Sequence, residues 1–126
     1  MSGLCFGVAM MVQAALPSDA LTLVWKHSVE KTRWTEHYQR EADHVVLTEA
    51  TVEGTGAGMD PPADALFDGK VWRYHPMLPA MKRIVLTRST YTPDYTVCWN
   101  NSCQSLTTLV GPLRQEGETI ELFPCP

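Results

Sequence analysis

His27, Ser28 and Glu30 carry the groups that a hydrolase uses, namely an imidazole base, a hydroxyl nucleophile and a carboxylate. The residues before them alternate as in a β-strand, and neighbouring side chains of a strand project to opposite faces. His27 therefore cannot reach the hydroxyl of Ser28 unless the chain turns there. The sequence also has no G-x-S-x-G nucleophile elbow. We therefore assign no catalytic residue.

A metal site is the second chemistry that histidine and glutamate suggest. His27 and Glu30 would meet at one ion only with helical spacing, which this segment does not have. The remaining histidines, His37, His44 and His75, show no ligand-like spacing with them. We predict neither a metal ion nor another cofactor.

Three ionisable side chains fall on strand faces that otherwise carry apolar residues. His27 follows Leu21, Leu23 and Trp25, Glu36 lies between Trp34 and Tyr38, and Arg88 follows Ile84 and Leu86. Burying an isolated charge is costly, so such groups should pair with one another or line a solvated cavity. One hypothesis is that His27, Glu36 and Arg88 line a pocket for a small polar or anionic solute. Glu30 would add to this pocket, and Arg88 would supply a bidentate contact. The alternative is that the strands end there, so that these side chains are solvated or form a structural ion pair.

The long irregular stretch 54–69 begins with a glycine-rich run. Its glycines are spaced G-x-G-x-G, but an Asp-Pro-Pro step follows where a phosphate site needs the N-terminus of a helix. Two interpretations remain for this loop. It is either a structural loop whose glycines adopt positive φ, or a recognition loop that presents a methionine and two prolines to a protein partner. The residues concerned are Gly54, Gly56, Gly58, Met59, Pro61 and Pro62.

The elements that must position these side chains are predominantly strands. From Leu21 onward, apolar and polar residues alternate with period two, the pattern of half-buried strands. Eight segments qualify, namely 21–26, 33–38, 44–53, 71–75, 83–89, 95–99, 103–110 and 119–123. The sequence therefore predicts an all-β fold, a small antiparallel sandwich or barrel of about eight strands.

Length and composition fit one folded domain. The chain has 126 residues, of which 44% are hydrophobic and 19% charged. Ten Lys and Arg against fourteen Asp and Glu give a net charge of −4, and no basic cluster is longer than Lys82–Arg83. We exclude nucleic acid as a partner, because neutralising phosphates needs a basic stripe.

The N-terminal residues differ in composition from the remainder. Residues 3–16 carry no charge, and the first basic residue of the chain is Lys26. Such a run is too short to span a bilayer as a helix, but it matches the hydrophobic region of a signal peptide. We predict that residues 1–20 are an export segment or membrane anchor and that residues 21–126 form a single all-β domain. The alternative is a buried apolar helix at the N-terminus of a cytosolic domain.

The cysteines also bear on the compartment. Cys98 and Cys103 flank Asn100–Asn101, which are favourable turn residues, so the two sulfur atoms would face each other across a hairpin. A disulfide between them would persist only in an oxidising compartment. The alternative is half of a zinc site, which needs a second ligand pair that the sequence lacks. Cys125 would then be unpaired or intermolecular, and Cys5 has no lipoprotein box before it.

Four stretches together carry a family resemblance. They are Leu21–Thr32 (LTLVWKHSVEKT) with Trp34–Glu36, Leu47–Pro62 (LTEATVEGTGAGMDPP), Trp72–Tyr74 and the Cys98–Cys103 hairpin. The chain resembles a family of short exported bacterial proteins, with a domain of unknown function, that are often encoded beside TAXI-type TRAP transporters. The resemblance covers about residues 21–106 and implies a setting in the cell envelope near a solute transporter. It implies no catalytic or binding residue.

These observations lead to three functional hypotheses. We expect an extracytoplasmic, non-enzymatic accessory or interaction module of a TRAP-type transport system, with transporter subunits as partners. It would lie in the periplasm or on the outer face of the cytoplasmic membrane, exported or tethered by its N-terminus. The second hypothesis is an extracytoplasmic binder of a small polar or anionic solute. The third is an envelope hydrolase.

Overall fold

The computed structural model describes residues 2–26, 32–53 and 65–126. Within these ranges the chain forms eleven strands and one short helix, and the strands make two antiparallel sheets. The smaller sheet contains β1 (Leu4–Val8), β2 (Met11–Leu16), β8 (Ile84–Thr87) and β11 (Thr119–Pro124), in the order β2-β1-β11-β8. The larger sheet contains β3 (Ala20–Lys26), β4 (Arg33–Glu41), β5 (His44–Glu53), β6 (Leu66–Phe67), β7 (Val71–Tyr74), β9 (Thr96–Trp99) and β10 (Ser102–Ser105). Its order is β10-β9-β3-β4-β5-β7-β6. The predicted all-β, antiparallel fold is confirmed, and neither described sheet closes into a barrel.

The two sheets share one apolar core. Leu4, Phe6 and Leu122 of the smaller sheet and Leu23 and Val97 of the larger sheet are fully buried in it. Along β3 the buried leucines alternate with residues that are less buried, as the sequence pattern predicts. Burying one such side chain stabilises the fold by about 1.5–3 kcal/mol. The inward faces of both sheets are therefore fixed by this core.

The N-terminal segment is part of the same core. β1 pairs with both β2 and β11, and the side chains of Leu4 and Phe6 are inaccessible to solvent. Leu16 at the end of β2 is also buried in this core, whereas most other side chains of β2 are exposed. A buried strand such as β1 and the hydrophobic region of a signal peptide look alike in composition, so the sequence did not separate them. A role of this segment in export stays a prediction. Among the described residues, no helix is long and apolar enough to cross a membrane.

The predicted strand 103–110 is wrong in its second half. Strand β10 ends at Ser105, and α1 (Leu106–Val110) follows it. The hydroxyl of Ser105 caps this helix by accepting a hydrogen bond from the backbone N–H of Thr108 at 3.1 Å. The helix ends at Gly111, whose φ of 96° suits glycine. Leu106 is fully buried, so capping and burial outweigh the β preference of the two threonines in this segment.

The four cysteines form two disulfides. Cys98 and Cys103 lie directly opposite each other on β9 and β10 and are bonded, which confirms the predicted pair. Asn100 and Asn101 form the turn between them with φ of 49° and 65°. The expectation that Cys125 is unpaired or intermolecular is wrong, because it is bonded to Cys5. That partner is 120 residues away in sequence, and only the pairing of β1 with β11 brings the two together.

Candidate functional site

Glu36 is a carboxylate on the inner, apolar face of the larger sheet. It lies on β4, opposite Leu23 of β3 and Ala50 of β5, and both of these neighbours are buried. The alternation of Trp34, Glu36 and Tyr38 produces this placement, since every second side chain of a strand shares a face. The fold therefore holds an ionisable group next to its core.

The carboxyl group of Glu36 receives hydrogen bonds from two neutral donors. The indole Nε1 of Trp25 donates to Oε1 at 2.9 Å, and the hydroxyl of Tyr38 also donates to this carboxyl group. Burial raises the pKa of Glu36, and the two hydrogen bonds offset only part of this effect. Trp25 is itself held in place by stacking on Trp34, with ring centroids 5.4 Å apart. No cation contacts Glu36 among the described residues.

A cavity of about 440 Å³ opens beside Glu36. Strands β4 and β5 form one wall, and β8 with the preceding segment 78–83 forms the other. The lining residues are Glu36, Tyr38, Val45, Leu47, Leu78, Pro79, Met81, Arg83, Ile84 and Val85. The volume lies within the usual range of small-molecule sites, about 300–1,000 Å³. An apolar wall with a few converging polar groups is the usual character of such a site.

Segment 78–83 is fixed against β5 by its backbone. The N–H of Val45 donates to the carbonyl of Met81 at 2.7 Å, and the N–H of Met81 donates to the carbonyl of Val45 at 2.9 Å. Val45 is fully buried, whereas Leu78, Met81 and Val85 are about half exposed. The cavity therefore has a closed inner end near Val45 and a rim that solvent reaches.

Arg83 is the second charged residue of the cavity wall. Its side chain is about half exposed, and its Nη1 lies 3.1 Å from Oε2 of Glu121 on β11. This is the only ion pair of Arg83 among the described residues. The cavity thus combines a partly buried carboxylate and a guanidinium at the rim.

Arg88 is not part of this cavity. Its side chain is 1% exposed, and its guanidinium lies 2.6 Å from Asp94 Oδ2 and 3.3 Å from Glu118 Oε1. It also donates to the carbonyl of Gly111 at 2.9 Å, at the end of α1. Burial opposes ionisation of Asp94, but the hydrogen bonds from Arg88 and Thr107 outweigh it and hold the pKa of Asp94 below its ordinary value. Arg88 therefore belongs to a structural ion pair. This is the second of the two interpretations that the sequence left open for it.

The other predicted site residues are not all within the described ranges. No described contact joins Glu36 to Arg88. His27 and Glu30 lie outside the described residues, as do all six loop residues Gly54, Gly56, Gly58, Met59, Pro61 and Pro62. The residues that flank these two gaps pair at one end of the larger sheet, Lys26 with Arg33 and Glu53 with Val71.

A second group of ionisable side chains surrounds Glu49 of β5. Its carboxylate contacts Arg73 and lies 3.9 Å from His37 Nε2 and 3.7 Å from His75 Nε2. Within the part of the chain that the structure describes, no three His, Cys, Asp or Glu side chains are arranged to hold a metal ion. This group consists of one ion pair, Arg73 with Glu49, and two imidazoles close to it, all partly exposed.

Sequence reasoning placed Glu36 on an apolar strand face but missed the other wall of the cavity. Leu78, Pro79 and Met81 follow β7 in a stretch with no periodic pattern, so they gave no strand or helix signal. Only their apolar character in an irregular segment could have indicated that they cover a neighbouring face.

Comparison with known proteins identifies the family of the chain. A family model described as a domain of unknown function, DUF1850, matches residues 21–106, about two-thirds of the sequence. The chain therefore belongs to this family. The match contains Glu36 and all of the cavity wall, whereas β1, β2 and β11 lie outside it. Searches of curated proteins and of solved structures gave no match.

Proposed function

We propose that this DUF1850 protein is a non-enzymatic, extracytoplasmic binding domain that holds a small solute in the cavity beside Glu36. The observation that carries the proposal is a carboxyl group in the wall of an otherwise largely apolar cavity of about 440 Å³. Placing a carboxylate there costs stability, as the direction of its pKa shift indicates. A ligand that pairs with Glu36 would compensate this cost.

The extracytoplasmic location is supported by the cysteines. All four are in disulfides, and disulfides persist in oxidising compartments such as the periplasm. One of them joins Cys5 to Cys125, which are 120 residues apart in sequence, so it stabilises the fold by closing a long loop. Both features suit a domain that acts outside the cytoplasm.

The partner that we propose is a solute transporter of the TRAP type. This part rests on the family resemblance and its implied setting in the cell envelope. A domain that binds a solute beside a transporter would be an accessory module of that system. The test is purification of the tagged protein from gently solubilised native membranes. Recovery of transporter subunits would support the link, whereas recovery of the protein alone would contradict it.

Binding itself is tested with five probes that each contain six carbon atoms and differ in the number, sign and position of their charged groups. The set is 1-hexanol, hexylamine, hexanoate, norleucine and 6-aminohexanoate, each titrated into the full chain by calorimetry. We expect saturable binding of at least one probe. Absence of binding by all five would overturn the proposed function.

Two matched variants locate the site of binding. Val85→Trp places a large side chain on the rim of the cavity, where the native side chain is 55% exposed. Val12→Trp makes the same change on β2, at a side chain that is 46% exposed and does not line the cavity. We expect Val85→Trp to weaken binding and Val12→Trp to leave it unchanged. Equal binding by both variants would place the probe elsewhere and contradict the assignment.

A further inference from the structure

We infer that the ligand of this cavity is a zwitterion with an apolar body, in the manner of an aliphatic amino acid, its ammonium group meeting Glu36 and its carboxylate meeting Arg83. This inference rests on the proposed function and names the class of solute. It follows from the two charged side chains of the cavity wall, which have opposite sign.

In the cavity wall, Glu36 favours a cation as its partner. A carboxylate offers about four lone-pair positions to donors. Trp25 and Tyr38 account for two, and both are neutral. Buried charges in proteins are normally paired with an opposite charge, yet the described residues around Glu36 supply none. An ammonium group supplies both the charge and the missing donors.

In the same wall, Arg83 favours an anion as its partner. A guanidinium carries five N–H donors, and Arg83 has a single described partner, Glu121, through Nη1. The remaining donors can hold a carboxylate in a bidentate pair. Because the side chain is about half exposed, a ligand reaches it at the rim of the cavity.

The rest of the cavity wall is largely apolar. Val45, Leu47 and Ile84 line it, and Met81 lies at its rim. These side chains cannot hydrogen-bond a polar chain such as that of a sugar, but they suit methylene groups. A simple cation would leave the remaining donors of Arg83 unused, because Glu121 occupies only Nη1, and a simple anion would bring its charge toward Glu36. A zwitterion satisfies both residues.

The test uses the order of affinities within the five six-carbon probes. A charge-assisted hydrogen bond contributes enough for about a tenfold change in affinity. We therefore expect norleucine or 6-aminohexanoate to bind about tenfold more tightly than hexylamine or hexanoate. Hexylamine or hexanoate binding as tightly as both zwitterions would overturn this inference and leave the proposed function intact. If no probe binds, both fail.

Variants assign each charge of the ligand to one residue. Glu36→Gln should remove the advantage of the ammonium group, so the best zwitterion falls to the affinity of hexanoate. Arg83→Gln should remove the advantage of the carboxylate, so the same zwitterion falls to the affinity of hexylamine. Lys82→Gln is the matched control, because this neighbouring cation does not line the cavity. Equal losses in Lys82→Gln and Arg83→Gln would show a general effect of charge and overturn the assignment of Arg83.

Discussion

Replacing Arg88 by methionine removes an ion pair from the interior and keeps most of the apolar stem. The guanidinium of Arg88 contacts Asp94 at 2.6 Å, Glu118 at 3.3 Å and the carbonyl of Gly111 at 2.9 Å. Methionine has no donor, so Arg88→Met leaves these three acceptors without that partner. The change therefore tests whether Arg88 joins the end of β8 to α1 and to the start of β11.

The size of the effect follows from burial. Removing one partner of a buried ion pair costs about 3–5 kcal/mol. The carboxylates of Asp94 and Glu118 keep some access to water, with side chains 18% and 25% exposed, which favours the lower end of that range. We expect a loss of about 3 kcal/mol in the free energy of unfolding, out of a total of about 5–15 kcal/mol. At roughly 4 °C per kcal/mol, Tm falls by about 12 °C.

Urea unfolding followed by circular dichroism measures this loss. Arg114→Met is the matched control, because Arg114 is exposed, and it should change stability by less than about 0.5 kcal/mol. A loss below about 1 kcal/mol in Arg88→Met would refute the assigned role, since that is the range of an exposed pair. Folded Arg88→Met should still bind the probe of the cavity. Loss of that binding would instead favour the pocket predicted from the sequence.

The pH dependence of Arg88→Met gives an independent readout. Because the folded protein holds the pKa of Asp94 below its ordinary value, the ion pair adds stability above that ordinary value, about 3.9. This stability is lost as the pH falls toward the lowered pKa. Arg88→Met should therefore lose less stability between neutral and acidic pH than the native protein does. An unchanged acid dependence would contradict the pairing.

Three further predictions concern other parts of the fold. Burial raises the pKa of Glu36, so the native protein loses stability as the pH rises through that raised pKa and the carboxyl group ionises. Glu36→Gln cannot ionise, so it should raise the urea midpoint at pH 8 but not at pH 3. Cys5→Ala opens the disulfide to Cys125 and should cost about 5 kcal/mol, roughly twice the cost of opening the short-loop disulfide. Urea unfolding of each variant measures this difference. Gly7→Ala should cost about 1–3 kcal/mol by the same assay, because the added Cβ meets the carbonyl oxygen of Met11. Native-like stability of the Gly7 variant would mean that the β1–β2 turn adjusts freely.

The sequence predicted those features that depend on neighbouring residues. Alternation along β3 and β4 identified the strands and placed Glu36 on the inner face. The Asn100–Asn101 turn identified the Cys98–Cys103 disulfide, because the turn itself brings the two cysteines together. The same local reasoning failed at α1, where a serine cap and a buried leucine outweighed the β preference of two threonines.

Long-range pairing decided the remaining features. The partner of Cys5 is set by the pairing of β1 with β11, from opposite ends of the chain. Arg88 and Glu36 carry the same sequence signal, a charge on an apolar face. The tertiary structure gives Arg88 two carboxylates and gives Glu36 an open cavity, because what a buried charge meets depends on the opposing elements and not on its own strand. The sequence by itself thus determined the fold class and the faces of the residues on β3 and β4, whereas only packing of the two sheets decided which charge is paired and which borders a site.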